Sequence, residues 1–192
     1  MEYILASKSP RRKELFSLLV PQFSCETAEV DERAVTIMRP DALCLALAKL
    51  KCRAVAAAHP DCCVIGSDTM VAVDGKLLGK PADREDELRM LRMLSGRDHQ
   101  VMTGLTVLRG SRVLSHTEVT HIHFRNLSER EIRRYVATGE PMDKAGSYAI
   151  QGGAALFAEK MNGDYYNVMG LPVCRLWQML RAIAPDIMED FQ

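Results

Sequence analysis

"CCVIGSDTMVAVDGKLLGKP", residues 62–81, carries two kinds of strand signal in one run. Cys62 to Gly66 is continuously apolar, the pattern of a strand buried on both faces, and it ends at the polar triplet Ser67-Asp68-Thr69. Beyond it, "MVAV" and "KLLG" are separated by Asp74-Gly75, the dipeptide that suits a tight hairpin turn. A buried strand followed by a hairpin predicts an α/β fold whose sheet is mixed.

The flanking segments supply the helices. Upstream, "ILASKSPRRKELFSLL" (residues 4–19) follows Tyr3 and reads as a short strand, Tyr3 to Ala6, then a helix with Ser9 as N-cap and Pro10 as its first residue. Leu15, Leu18 and Leu19 form the expected apolar face. Arg11, Arg12 and Lys13 fill the first turn, where the helix dipole disfavours each exposed cation by roughly 0.3–1 kcal/mol. Either an anion docks there, on free N–H groups and guanidinium forks, or the turn is simply solvated. Next, "RPDALCLALAKLKCRAVAAA" (39–58) predicts a helix from near Pro40.

Downstream, "DREDELRMLRMLSG" (83–96) predicts a helix with an acidic first turn and Gly96 past its end. "HQVMTGLTVLRG" and "RVLSHTEVTHIHF" predict two long strands turning near Arg109-Gly110-Ser111. "LSEREIRRYVATGEP" supplies a helix with a Ser128/Glu131 capping box and a Gly139 stop. A glycine-rich loop, a strand with an Asn162-Gly163 hairpin and a last helix from about Leu171 to Ala184 complete the chain. With no repeat, low-complexity tract or linker, one domain spanning 1–192 is expected, its second lobe built from the middle hairpins.

Hydrophobic residues make up 47% of the 192, so the chain can bury a sizeable core. Lys plus Arg number 25 and Asp plus Glu 25, which argues against a general attraction to nucleic acid or acidic membranes. Any anion site must be local. Six cysteines without a C-x-x-C pair read as reduced and structural, and no apolar run approaches the ~20 residues that span a bilayer, so a cytoplasmic protein is expected. His121-x-His123 lacks a third ligand nearby and does not suggest zinc.

The candidate chemistry gathers where strands are expected to end. Ser7, Ser9, Arg11 and Arg12 follow the first strand, Asp68 and Thr69 the buried one, and Lys80-Pro81-x-Asp83 the hairpin. In open α/β sheets that crevice is the usual ligand position, so the three clusters are expected to share a cleft. Asp68 could bind Mg²⁺, accept a proton from water, or be a turn residue bonded to its own backbone. Glu32 adds a carboxylate. Lys49 and Lys51 point in different directions on their helix, so at most one enters the cleft. Gln151, ending "KAGSYAIQ", could read a base edge or bond the loop backbone.

Together "LASKSPRRKELF", "VIGSDTMVAVDGKLLGKPAD", "MLSGRDHQVMTG" and "GEPMDKAGSYAIQG" closely resemble the Maf family of nucleoside triphosphate pyrophosphatases, from residue 3 to about 180. The resemblance implies an α/β fold with a mixed sheet, flanking helices and two lobes around a deep cleft, like that of inosine triphosphate pyrophosphatases, in a family whose members commonly form homodimers. It implies hydrolysis of a nucleoside triphosphate to the monophosphate and pyrophosphate, with Mg²⁺ or Mn²⁺ as cofactor. Asp68 matches the proton acceptor; Ser7, Arg12, Glu32, Lys51 and Lys80 match the substrate and metal pocket, with Glu32 and Asp68 toward the metal. Ser9 and Arg11 lie in the same substrate-binding loop and turn. Arg12, Thr69 and Gln151 match positions tied to base choice, and "SDT" with "YAIQG" resembles the subgroup acting on dTTP and UTP. House-cleaning of non-standard nucleotides and a link to cell-division arrest are further implications of the resemblance. Lys8 stands where many members have a small residue.

Two rival functions are open to the residues. A nucleotidyltransferase would use a similar first loop but lacks its glycines here, and acceptor-independent pyrophosphate release separates the two. A nucleic-acid-binding module would use Ser-Pro-Arg-Arg, against which the zero net charge argues.

Overall fold

The computed structural model describes residues 2–36 and 39–185. At its centre is β3 (Cys63–Val73), which changes partners along its length. Its first half lies parallel to β1 (Tyr3–Ala6), itself parallel to the two-residue β2 (Ser24–Cys25). On its other side β3 runs antiparallel to β5 (Asp98–Arg109), and β4 (Lys76–Leu78) folds back on its second half. β6 (Arg112–Phe124) and β7 (Ala158–Asn162) extend the sheet, giving the order β2-β1-β3-β5-β6-β7. The expected mixed sheet is therefore present.

Strand alternation splits the core between two faces. α2 (Pro40–Ala56) covers one of them, over Ile4, Ala6 and Val64. It lies unusually close because Gly66 and Gly104 face it: a Cβ at either would fall 2.4 Å from the carbonyl oxygen of Ala48 or Cys44. On the opposite face, α1 (Pro10–Ser17) and α6 (Val173–Ile183) bury Leu5, Phe16, Ile65, Leu105 and Leu180 at one end of the long strands. At the other end, α3 (Arg84–Leu94) and α4 (Glu129–Val136) pack with Val71, Val101, Ile122 and Phe124. The two lobes thus share β3, β5 and β6.

Local signals behave as read at Ser9, at the acidic first turn of α3, at the Ser128/Glu131 box and at Asp74-Gly75, whose φ values of 49° and 72° define the tight turn. Four expectations need correction. β3 does not end at Ser67-Asp68-Thr69 but continues to Val73, because β5 goes on pairing after β1 has stopped. Leu18 is 56% exposed, since α1 stops at Ser17 and Phe16 and Val20 join Leu15 and Leu19 in the core. Asn162-Gly163 makes no hairpin; Asp164 caps the short helix α5 (Tyr165–Met169) instead. Finally, Cys44, Cys52, Cys62 and Cys63 are buried, but Cys25 and Cys174 lie at the surface.

Candidate active site

The partner change in β3 leaves a notch. On one edge, β1 pairs with β3 as far as Gly66 and β4 begins at Val71, so residues 67–70 have no strand beside them there. β5 occupies the other edge throughout. Within the notch, alternation sends Asp68 toward α2 and Ser67 and Thr69 toward α1. A ligand entering the gap can therefore meet groups from both faces of the sheet.

On the α2 side, Lys51 Nζ donates to Asp68 Oδ1 at 2.6 Å and pairs with Glu32 Oε1 at 3.0 Å. Side-chain exposure rises from 13% at Asp68 to 22% at Lys51 and 50% at Glu32, so the cluster runs from the sheet outward to solvent. Lys51 is thus the helix lysine that reaches the site. Beneath it, burial and the nearby Asp68 push the Cys44 thiol up to about 12, which keeps it protonated and unsuited to nucleophilic work.

On the α1 side, Arg12 is turned inward. Its Nε donates to Gly170 O at 2.8 Å, Nη1 to Ser67 O at 2.9 Å and Ser7 Oγ at 3.5 Å, and Nη2 to Thr69 Oγ1 at 2.9 Å. Burial pulls its pKa down, and Asp68 opposes that shift. Protein acceptors therefore offset much of the cation conflict in the first turn, where only an anionic ligand or solvation was expected to do so. Ser9 Oγ accepts from Arg12 N at 3.4 Å, while Ser7, buried, accepts from Ser9 N at 3.2 Å. These two serines shape the turn between β1 and α1.

The remaining candidates lie at the rim. Lys80, just past β4, is exposed, and Lys8 and Lys13 point to solvent. Arg11 is half-buried with its Nε unpartnered; burial lowers its pKa and Asp143 partly restores it. Asp83 serves as the N-cap of α3, accepting from Asp86 N at 2.9 Å, and so belongs to the helix rather than to the ligand cluster. Gln151 sits exposed in a turn. That turn is pinned from α4: Tyr135 Oη donates to Glu140 Oε1 at 2.7 Å and accepts from Ala149 N at 3.0 Å, while Gly153 N donates to Glu140 Oε2 at 3.2 Å. Gly146 N donates to Gly79 O at 3.0 Å, tying the glycine-rich loop beside Lys80.

Three site residues were not singled out from sequence: Ser67, Thr103 and Gly170. Gly170 follows α5 with φ of 110°, and its carbonyl accepts from both Arg12 Nε and Ser67 Oγ. A glycine after an apolar helix is a readable cap signal, but nothing local reveals that its carbonyl anchors an arginine 158 residues away in sequence.

An α/β chain with a mixed sheet, a notch at the partner change and polar groups converging on it defines a recognisable class. The Ham1 protein of Staphylococcus aureus has a similar structure, with a TM-score of 0.56 over 95% of this chain and 99% of that one; at 15% identity the likeness concerns the fold alone. Residues 2–183 match the model of the family described as Maf-like protein, and the chain belongs to that family. It is 51% identical over 179 residues to a Symbiobacterium thermophilum protein named dTTP/UTP pyrophosphatase, covering 93% of this chain and 92% of that protein. A Bacillus velezensis protein of the same name is 47% identical, with coverage of 93% and 94%.

Proposed function

We propose that this chain hydrolyses nucleoside triphosphates, foremost dTTP and UTP, to the monophosphate and pyrophosphate. The observation that carries this reading is the Glu32–Lys51–Asp68 cluster opening onto the notch beside the N-terminus of α1. The names of the family relatives supply the substrate class.

In the proposed mechanism the triphosphate lies along the Ser7–Ser9 turn, with the first N–H groups of α1, Lys51 and Lys80 facing its oxygens. Lys51 engages Asp68 Oδ1. Oδ2 is then the oxygen for an incoming water, which Asp68 orients toward the α-phosphorus and from which it takes a proton. Thr69 and Gln151 face the base. Among the described residues no group of three or more His, Cys, Asp or Glu could hold a metal by itself. Two carboxylates completed by phosphate oxygens and water nevertheless suit Mg²⁺ or Mn²⁺, so Glu32 and Asp68 are the residues that would hold it. The bound ion would supply charge neutralisation at the phosphates.

Removal of non-standard nucleotides in the cytoplasm by a homodimer fits this activity. No helix of the described residues is long and apolar enough to cross a membrane. The test is a nucleotide panel with Mg²⁺ or Mn²⁺, scored separately for pyrophosphate and orthophosphate. Pyrophosphate from dTTP and UTP without any acceptor is the expected result. Orthophosphate as first product, or dependence on an acceptor, overturns the reading.

A further inference from the structure

The hydroxyls behind Thr69 form a chain whose polarity can be read from the inside out. Thr69 and Thr103 are directly opposed across β3 and β5, with their Oγ1 atoms 3.0 Å apart. Thr103 Oγ1 also lies 3.0 Å from the carbonyl oxygen of Asn167 in α5. A carbonyl can only accept, so the single Thr103 proton belongs to that bond. Thr103 must then accept from Thr69. On its other side Thr69 Oγ1 faces Arg12 Nη2 at 2.9 Å, and a guanidinium can only donate. Thr69 has thus committed its proton inward and one lone pair to Arg12. What it retains for the notch is one lone pair.

The elements around this chain hold it in that state. Thr103 and Asn167 are fully buried, and Asn167 Nδ2 donates to Val101 O at 3.0 Å and to Thr120 Oγ1 at 2.8 Å. α5 is thereby anchored to β5 and β6 with its Asn167 carbonyl facing Thr103. Gly170 leaves room at the outer end: a Cβ there would come within 3.3 Å of Thr69 Oγ1 and 3.4 Å of Arg12 Nε. Any side chain at residue 170 would therefore crowd the Thr69 hydroxyl and the Arg12 guanidinium.

We infer that Thr103 is a specificity-determining positioning residue, which makes Thr69 an obligate hydrogen-bond acceptor and so selects bases that present a ring N–H. The inference rests on the proposed pyrophosphatase reading with Thr69 at the base. Uracil and thymine carry that N–H at N3, whereas cytosine presents a bare N3 lone pair at the same place. Against Thr69, cytosine brings two acceptors face to face. A free hydroxyl could turn and donate instead; this one cannot without breaking the bond to Thr103 or, if Thr103 turns its proton to Thr69, setting the Thr103 and Asn167 oxygens against each other at 3.0 Å with no proton between them, although Gly170 N still donates to that carbonyl.

The experiment measures kcat/KM for UTP and CTP in wild type, Thr103→Val and Thr103→Ser. Valine keeps the β-branched shape and removes the hydroxyl, which releases the Thr69 proton. The UTP/CTP ratio should fall by about tenfold in Thr103→Val, the size expected when one mismatched hydrogen bond is relieved, and return toward wild type in Thr103→Ser. Because the ratio is taken within one preparation, a loss of folded protein lowers both rates equally and leaves it unchanged. An unaltered ratio in Thr103→Val, or a serine variant as unselective as the valine one, overturns the inference while leaving the pyrophosphatase reading intact. A wild type that releases no pyrophosphate from UTP overturns both.

Discussion

Replacing Arg12 by alanine separates two views of the first helical turn. If the guanidinium is only a cation awaiting phosphate, Arg12→Ala should weaken catalysis and leave stability alone. The structure gives it a second task, since its donors engage acceptors on β3, on the Ser7 turn and beyond α5. After truncation, Gly170 O keeps its bond from Ser67 Oγ, and Thr69 Oγ1 keeps Thr103. Ser67 O loses its side-chain donor. One newly unpaired carbonyl costs about 1–3 kcal/mol, and loss of the charge-assisted bonds to Gly170 and Thr69 adds to it, for a total of about 2–4 kcal/mol. In a chain of this length that corresponds to a fall in Tm of roughly 5–15 °C. Urea unfolding and thermal melts of wild type, Arg12→Ala and Lys13→Ala test the reasoning, with kcat/KM for UTP measured in parallel. Arg12→Ala should lose both stability and activity, and Lys13→Ala neither. An Arg12→Ala protein as stable as wild type would refute the inward clamp.

Three further outcomes are expected. Asp68→Asn should fold normally but lose turnover by about 10²-fold or more, as measured by pyrophosphate release, because the amide keeps the shape and loses the charge. Gly66→Ala should destabilise by about 1–3 kcal/mol in urea titrations and lower activity, since its Cβ would stand 2.4 Å from Ala48 O and push α2, with Lys51, off the sheet. His99, buried in an aromatic cluster and bonded to Tyr148 Oη at 2.9 Å, is held down to about 4 by burial. The unfolded chain therefore binds the extra proton first, and the His99 contribution, present in full above about pH 6.5, is lost as pH falls toward 4, by about 3 kcal/mol. A His99→Phe variant whose urea midpoint shows the same slope between those pH values as wild type would count against this.

Local chemistry was the legible part of the sequence. Ser9 and Pro10, the acidic first turn of α3, the Ser128/Glu131 box and Asp74-Gly75 act through bonds within a few residues, so each could be read where it stood. The continuation of β3 could not, because it depends on β5, a partner some forty residues away in sequence. Before the fold is known, the polar triplet 67–69 looks like a strand end; in the sheet it is the stretch where one neighbour stops and the next has not begun. Thr103 and Thr106 are equally ordinary in "HQVMTGLTVL". Only the register sends Thr103 to Thr69 on the α1 face and pairs Thr106 with Ser115. Arg12 is expected at the site from its motif, but its inward orientation depends on Gly170, distant in the chain.

The same geometry bears on how charge is handled at the notch. Lys51 is shared between two carboxylates, and most Arg12 donors are already committed to protein acceptors. Neither is a loose cation that a triphosphate could simply collect. On the proposed reading a triphosphate would draw Lys51 partly away from Asp68 or Glu32, and a carboxylate so released would face the ligand with its charge exposed. Two like charges then oppose each other at short range in a partly buried site, an arrangement that is unfavourable unless a second cation enters with the substrate. This is the physical ground for the proposal that Glu32 and Asp68 would hold a divalent ion. The ammonium that pairs with both carboxylates before binding would then become the group that follows the phosphates after it.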